Sequence, residues 1–221
     1  MKKIQLLIVL ISFLSIITSF SQIKDYKGKP WNNSPQVIPG KVQCEFYDLG
    51  GEGIAYHDND SINNGSGKLN PANGDFLNEF RMKEGVDISF TKSNDIDNNN
   101  YNFAEQKMKQ LYVGWTEPGE WINYTVEVKQ TGNYNVELMY TSNGNGGISL
   151  SLDGKDITGT IHITSTHNDK DTLAWRQWHH WNRIDSIVSV HLVAGLHILT
   201  LYTVLNGNMN YDYLEFRLKN E

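Results

Sequence analysis

The sequence predicts an all-β fold, an antiparallel β-sandwich of the jelly-roll type. Apolar and polar residues alternate with a period of two along several stretches, which is typical of half-buried strands. Turn-forming sequences such as QTGN, NGNGG and VAGL separate these stretches, and no segment shows convincing helical periodicity. Strands that each bury one face, without helices to cover them, pack as two sheets face to face.

The strands follow from this alternation in chain order. In WINYTVEV, for example, Ile122, Tyr124 and Val126 share one face. The alternating stretches are VQCEFYD (42–48), GVDISF (85–90), WINYTVEV (121–128), NYNVELMY (133–140), GISLSLDG (147–154), SIVSVHL (186–192), HILTLYTVL (197–205) and NYDYLEFRL (210–218). Two segments rich in Asn, Asp, Gly and Ser, 57–80 and 92–110, interrupt the rhythm and are predicted to be long inserted loops.

The overall charge argues against nucleic acid as a partner. The chain has 221 residues, a net charge of -6 and a pI near 5.6, whereas proteins that bind a phosphate backbone concentrate Lys and Arg. Aromatic residues make up 11% of the chain, which suits a β-rich protein or a binding surface.

The N-terminus has the pattern of a secretory signal peptide, predicted over residues 1–21. Lys2 and Lys3 precede an apolar run from Leu6 to about Ile17, and small residues follow. A membrane anchor is the alternative, but the run is shorter than the ~20 apolar residues that a span needs. We therefore expect a secreted or periplasmic protein, with no membrane contact after signal cleavage.

One module is expected after the signal peptide. Residues 22–38 are polar and contain prolines, so they are predicted to be a linker, and residues 39–221 form the module. Cys44 is the single cysteine, which rules out an internal disulfide. If an exported fold of this kind needs a covalent or ionic staple, a metal ion is the remaining candidate.

The sequence contains no recognisable catalytic pattern, and we expect the protein not to be an enzyme. There is no GxSxG or HExxH motif, and Cys44 lies on the apolar face of its predicted strand. Glu117 and Glu120 are close in sequence, but spacing does not define the carboxyl separation that glycoside hydrolysis needs. An all-β domain without a catalytic constellation indicates a binding function.

The segment VGWTEPGEWINYTVEVKQTGNYNVELMY, residues 113–140, resembles the signature of the family 6 carbohydrate-binding modules, which are galactose-binding-like β-sandwiches. Further matches follow in the order of the family. VQCEFYD (42–48) resembles its first strand, WRQW (175–178) its Trp-x-x-Trp segment, and NYDYLEF (210–216) its last strand. The resemblance covers roughly residues 40–218 and implies a non-catalytic sugar site and a structural calcium ion.

The implied calcium ion would lie between the first and last strands, which are neighbours in the family. This places Gln43 and Glu45 near Asp212, and calcium prefers several oxygen ligands. These side chains are therefore the predicted metal ligands, with Gln43 in place of the more usual Glu. The alternative is that all of them are ordinary polar residues on strand faces.

The resemblance also implies a sugar site in the loops at one end of the sandwich. Carried over residue by residue, the site consists of Trp115, Trp175 and Asn210. Glu117 is a weaker candidate in the same loop as Trp115. The two indoles would hold a pyranose ring between them while Asn210 bonds a hydroxyl group. Core packing is the alternative for each tryptophan.

The segment AWRQWHHW, residues 174–181, is interpreted as the start of a strand. On a strand, Trp178 faces away from Trp175 and is expected in the core. Core packing is also the first choice for Trp121 and Trp181. The other polar residues of the segment are either sugar hydroxyl donors or solvated strand residues: Arg176, His179 and His180.

We expect an exported, calcium-stabilised β-sandwich that binds a polysaccharide or oligosaccharide, as a chain or a chain end. It would support polysaccharide degradation beside a partner glycoside hydrolase. β-Glucan, xylan and algal galactans such as agarose are all candidate glycans. The alternatives are an extracellular structural or adhesive domain, in which Trp115 and Trp175 pack into a protein interface, and an accessory part of a glycoside hydrolase.

Overall fold

Two β-sheets pack face to face in the computed structural model, which describes residues 25–219. This confirms the predicted all-β sandwich. The predicted signal peptide, residues 1–21, and the first residues of the predicted linker lie outside the described residues. Between residues 25 and 219, no helix is long and apolar enough to cross a membrane.

Thirteen strands form the described part of the chain. In chain order they are β1 (Gln36–Ile38), β2 (Gly40–Gln43), β3 (Tyr56–His57), β4 (Ile88–Phe90), β5 (Leu111–Val113), β6 (Trp121–Val128), β7 (Gly132–Ser142), β8 (Gly146–Leu152), β9 (Lys155–Asp156), β10 (Ile161–Ile163), β11 (Asn182–Leu192), β12 (Gly195–Leu205) and β13 (Met209–Leu218). One α-helix, α1, spans Phe76–Glu79, and 3-10 helices span Cys44–Phe46 and Ala174–His179.

The two sheets have non-sequential strand orders. The first sheet runs β1-β6-β12-β8-β10, with β3 also paired to β6 and β9 to β8. The second runs β11-β7-β13-β5-β4, with β2 also paired to β13. Pairing is antiparallel except between β1 and β6, which are parallel. The pairing of β2 with β13 brings the first and last parts of the module together, as the resemblance implied.

The core lies between the sheets and is built from the apolar faces that the alternation predicts. On β6, Ile122, Tyr124 and Val126 are all buried, as are Leu138 on β7 and Phe216 on β13. Burying one aliphatic or aromatic side chain contributes about 1.5–3 kcal/mol, so these facing rows are the main source of stability.

The first predicted strand is shorter than the stretch VQCEFYD. Strand β2 ends at Gln43, and the chain then turns into the 3-10 helix Cys44–Phe46, so Glu45 lies on that helix and not on the polar face of a strand. Part of the predicted linker, residues 22–38, is also structured. It contains β1, and Trp31 stacks parallel to the ring of Phe46.

The two long segments that interrupt the alternation are mostly loops, and the first of them contains a short helix. Segment 57–80 contains α1, whose N-terminus is capped by Asp75, because its carboxylate accepts a hydrogen bond from the backbone N–H of Leu77 at 2.8 Å. Segment 92–110 contains no helix or strand. Both loops contribute to the sites described below.

Candidate functional site

A cavity of about 520 Å³ opens beside the β5–β6 loop and the 3-10 helix Ala174–His179. We call it the aromatic cleft. Its walls come from the 57–80 loop, the β5–β6 segment, the 3-10 helix and the start of β13. The lining residues are Leu69, Tyr112, Trp115, Trp175, Trp178, His179, Asn208 and Asn210. Three of the sequence-predicted site residues therefore meet in one cavity.

Trp115 and Trp175 are the exposed aromatic residues of the cleft. Trp115 is 43% exposed and Trp175 is 51% exposed, whereas large aromatic side chains normally bury most of their surface. Trp115 also has a φ of +51°, a left-handed conformation that costs a bulky residue roughly 1–2 kcal/mol. An exposed indole on a strained backbone contributes little to folding, and such strain concentrates at binding sites.

Asn210 lies at the buried side of the cleft and is held by hydrogen bonds. Its Nδ2 donates to Thr141 Oγ1 at 3.0 Å and to the carbonyl oxygen of Trp178 at 2.7 Å. Both amide hydrogens are therefore used, and Oδ1 remains to accept a bond. A Cβ at Gly114 would lie 2.8 Å from this Oδ1, so a larger residue there would displace the carboxamide.

The segment around Trp178 forms a 3-10 helix, and the predicted strand is wrong. A 3-10 helix has three residues per turn, so side chains at positions i and i+3 lie on the same side. Trp178 therefore lies beside Trp175, is half-buried and lines the cleft, instead of entering the core. Trp181 is fully buried, which confirms the core prediction for that residue.

Of the polar residues in this segment, only His179 faces the cleft. Arg176 donates to both carboxylate oxygens of Asp171, at 2.7 and 2.8 Å, and this bond holds the pKa of Asp171 well below its usual range. His180 is fully buried and its Nε2 lies 2.8 Å from Asp171 Oδ2. Arg176 and His180 are therefore engaged with Asp171 and are neither solvated strand residues nor cleft residues.

Glu117 and Trp121 lie away from the lining of the cleft. Glu117 is exposed, and the nearest polar contact of its carboxylate is with Asn59 Nδ2 at 3.5 Å. Trp121 is half-buried beside His57, with ring centroids 6.4 Å apart. Glu117 stays a weak candidate for sugar contact, since it is not among the residues that line the cleft.

Several lining residues were not predicted from the sequence. Leu69 is an exposed apolar residue within the polar 57–80 loop. An apolar residue in a polar segment was the one local signal that Leu69 belongs to a binding surface. Tyr112 is buried on β5 and looks like an ordinary core residue in the sequence. Asn208 lies in the turn before β13.

The predicted metal ligands come together between β2, the 3-10 helix Cys44–Phe46 and β13. Gln43 pairs with Tyr213, which adjoins Asp212. Gln43 Oε1, Glu45 Oε2 and Asp212 Oδ1 are all buried and have no hydrogen-bond partner among the described residues. Buried oxygens without a partner are costly, and these three lie in one region of the structure.

Two glutamines from the 92–110 loop hold the remaining oxygens of these carboxylates. Gln110 Nε2 donates to Glu45 Oε1 at 3.0 Å, and Gln106 Nε2 donates to Asp212 Oδ2 at 3.1 Å. Burial, and then the nearby charge of Asp212, raises the pKa of Glu45 well above its usual value. Burial raises the pKa of Asp212 to about 6. The pocket is thus unfavourable for two negative charges unless a cation joins them.

One family model matches more than half of the chain. The family model described as "Carbohydrate binding module (family 6)" matches residues 84–218. The structure of CsCBM6-3 from Clostridium stercorarium in complex with cellobiose is 14% identical, with a TM-score of 0.50, over 84% of this chain and 98% of that chain. At this identity the likeness shows the fold, a β-sandwich. No curated protein matches the sequence.

Other similar structures include modules within larger enzymes. A glycoside hydrolase family 43 arabinoxylan arabinofuranohydrolase from Bacillus subtilis, in complex with cellotetraose, is 14% identical with a TM-score of 0.50. The match covers 84% of this chain but only 28% of that chain. The carbohydrate-binding module of Cellvibrio mixtus lichenase 5A, in complex with cellotriose, is 26% identical over 50% of this chain and 79% of that chain, with a TM-score of 0.40.

Proposed function

The chain belongs to the family 6 carbohydrate-binding modules, whose function is non-catalytic polysaccharide binding, and on that premise we propose that the aromatic cleft is its glycan site. The observation that carries the proposal is the convergence of Trp115, Trp175 and Asn210 on one cavity. Apolar platforms with a few directed polar groups are what a sugar site requires.

The indoles provide the binding surface for the sugar rings. A pyranose has an apolar face of C–H groups, which an aromatic ring can cover while the hydroxyl groups at the ring edge stay available. Trp115 and Trp175 are exposed enough to lose a large apolar area to a ligand. Trp178 and Leu69 extend this apolar lining beyond the predicted pair.

Asn210 provides a hydrogen-bond acceptor that orients the sugar. Because Thr141 and the Trp178 carbonyl take both amide hydrogens, Asn210 Oδ1 is a fixed acceptor for a sugar hydroxyl group. A fixed acceptor costs little conformational entropy on binding, so it discriminates between hydroxyl orientations better than a mobile side chain.

The test of this function is affinity electrophoresis of the full chain through gels that contain β-glucan, xylan or agarose. Retardation by at least one polysaccharide, and normal migration in a gel without polysaccharide, is the expected result. Normal migration through all of these gels, repeated with a wider set of plant and algal polysaccharides, would contradict the proposal.

Asn210→Ala is expected to weaken glycan binding about 10-fold, because the sugar loses one directed hydrogen bond in a buried position. The substitution also removes the bonds to Thr141 and to the Trp178 carbonyl, so folding is affected as well. Thr141→Val is the matched control, since it removes the bond between Thr141 and Asn210 and the bond from Thr141 to the Trp178 carbonyl oxygen, and leaves Asn210 in place. Equal losses of affinity in both variants would show that Asn210 acts only on the fold.

We also propose that Gln43, Glu45 and Asp212 bind a structural calcium ion. The three partnerless oxygens support this, since calcium takes oxygen ligands from carboxylates and amides in flexible geometry. A bound cation would neutralise the buried carboxylates and join β2 to β13. The ion would supply charge and rigidity to the fold and take no part in sugar contact.

The cellular role is a proposal of the same kind. A module that binds polysaccharide without cleaving it affects degradation only through a catalytic partner, so we propose that a glycoside hydrolase acts beside it. Export by the N-terminal segment, with its Lys2 and Lys3 and apolar run, would bring the module to extracellular or periplasmic polysaccharide.

A further inference from the structure

We propose that His179 is a sugar-binding residue of the aromatic cleft and that Asp97 is its positioning residue. The inference rests on the proposed glycan site and adds to it a hydrogen-bonding group on the wall formed by the 3-10 helix Ala174–His179.

The contact between His179 and Asp97 sets which nitrogen of the neutral imidazole carries the proton. His179 Nδ1 lies 2.8 Å from Asp97 Oδ1, and Asp97 is fully buried. An ionised carboxylate only accepts hydrogen bonds, so Nδ1 carries the proton in this contact. In the neutral ring Nε2 is then an acceptor, and it lies on the opposite edge of the imidazole from Asp97.

Asp97 is itself held from several sides. Its Oδ1 also accepts from Trp181 Nε1 at 2.7 Å, and its Oδ2 accepts from the backbone N–H of Lys92 at 2.6 Å. A carboxylate with three donors cannot rotate freely, so the ring of His179 is fixed with it. The indole of Trp175 lies against the ring edge-on, with centroids 6.1 Å apart.

Residues of the 92–110 loop also hydrogen-bond to the backbone of the segment that carries His179. Asn99 Nδ2 donates to the carbonyl oxygen of His179 at 2.8 Å. The backbone N–H of Phe103 donates to the carbonyl oxygen of Trp181 at 2.8 Å, and Asn102 Oδ1 accepts from the backbone N–H of Trp181 at 3.0 Å. The loop thus holds both the peptide chain and the imidazole of His179 in place.

This arrangement suits a hydroxyl-rich ligand. His179 lines the cleft, and its Nδ1 contact with Asp97 is the single hydrogen bond that the described residues give its ring. A sugar hydroxyl group would donate to Nε2 on the wall beside Trp175. Together with Asn210 Oδ1, the cleft then offers two fixed acceptors, which selects a glycan with two hydroxyl groups at matching positions.

The test is titration calorimetry with cellotetraose, xylotetraose and agarotetraose against wild type, His179→Ala, His179→Gln and the control His191→Ala. His191 is an exposed histidine on β11, and it does not line the cleft. For the tetrasaccharide that wild type binds best, we expect about 5- to 10-fold weaker binding by His179→Ala, from loss of one hydrogen bond. His179→Gln keeps a polar group near the Nε2 position and is expected to stay within about 3-fold of wild type.

Nitrogen-15 NMR of the imidazoles gives a readout on the unmodified protein. The ring of His179 is expected to show a protonated Nδ1 and an unprotonated Nε2, and the Nε2 signal is expected to move when the sugar is added. This measurement decides the matter if His179→Ala fails to fold. A protonated Nε2 in the neutral ring would overturn the role of Asp97. An Nε2 signal that does not move when the sugar is added would overturn the role of His179.

The outcomes separate this inference from the proposed function. If wild type binds a tetrasaccharide, Trp175→Ala loses that binding and His179→Ala keeps it, the cleft is the sugar site and His179 is not part of it. If wild type binds neither the tetrasaccharides nor any polysaccharide in the gels, the proposed function fails and the role of His179 fails with it.

Discussion

Trp175→Ala is expected to weaken glycan binding by about 30- to 150-fold, or about 2–3 kcal/mol, which is typical of a central aromatic contact. Trp175 is half exposed and lies on one wall of the cleft, so its indole gains burial only when a ligand covers it. The same exposure means that folding loses little, and we expect the free energy of unfolding to change by less than about 1 kcal/mol. Titration calorimetry and thermal melting measure the two effects separately.

Trp121→Ala is the matched control for this prediction. Trp121 is a partly exposed tryptophan on β6 that packs near His57 and does not line the cleft. We expect it to reduce stability and to leave affinity for the glycan within about 2-fold of wild type, since Trp121 is not among the residues that line the cleft. Equal losses of affinity in both variants would place the sugar site elsewhere.

Removal of the proposed calcium ion is expected to lower the melting temperature by about 10 °C. An ion present at about 1,000 times its dissociation constant stabilises the folded state by about 4 kcal/mol, and a domain of this size shifts by roughly 2–4 °C per kcal/mol. Without the ion, the partnerless oxygens of Gln43, Glu45 and Asp212 stay buried and unpaired. Thermal melting in a calcium-selective chelator, followed by addition of excess calcium, measures the shift and its reversal.

Asp212→Asn provides the control, because it keeps the shape of the side chain and removes its charge. In calcium this variant should melt below wild type, since the ion loses a charged ligand. In chelator it should melt at or above wild type, since it no longer buries a second carboxylate beside Glu45. If chelator does not change the melting temperature of wild type, the proposal that this site binds a metal ion is wrong.

The sequence was sufficient for the sandwich because its strands bury one face each. On β6 the predicted inward residues Ile122, Tyr124 and Val126 are all buried, and the polar residues Asn123 and Thr125 of the other face are buried as well. The meeting of Trp115, Trp175 and Asn210 came from the family resemblance, since alternation alone does not say which loops lie side by side. The structure places all three in one cavity.

The course of the Trp-x-x-Trp segment could not be predicted from its own residues. Over so few positions, a strand and a short 3-10 helix have similar patterns of apolar and polar residues. Contacts with the distant 92–110 loop decide which of the two forms. Asn99 and Asp97 bond this segment from about 80 residues away in sequence. For this reason the sequence pattern places Trp178 in the core, where the structure does not, and gives no orientation for His179.

The place of Leu69 in the cleft could not be predicted from the sequence for a different reason. It comes from an inserted loop whose path depends on packing against the sheets, and sequence periodicity gives no information about such a path. An exposed leucine in a polar segment signals a surface of interest without saying which partner it meets.

The central claim is that the aromatic cleft binds glycan, and a glycan array probed with wild type and Trp175→Ala tests it most directly. Wild type, with calcium present, is expected to bind a chemically related group of β-glucan, xylan or galactan oligosaccharides, and Trp175→Ala is expected to lose these signals. Wild type that binds no glycan on the array, or a variant that binds as well as wild type, would contradict the claim.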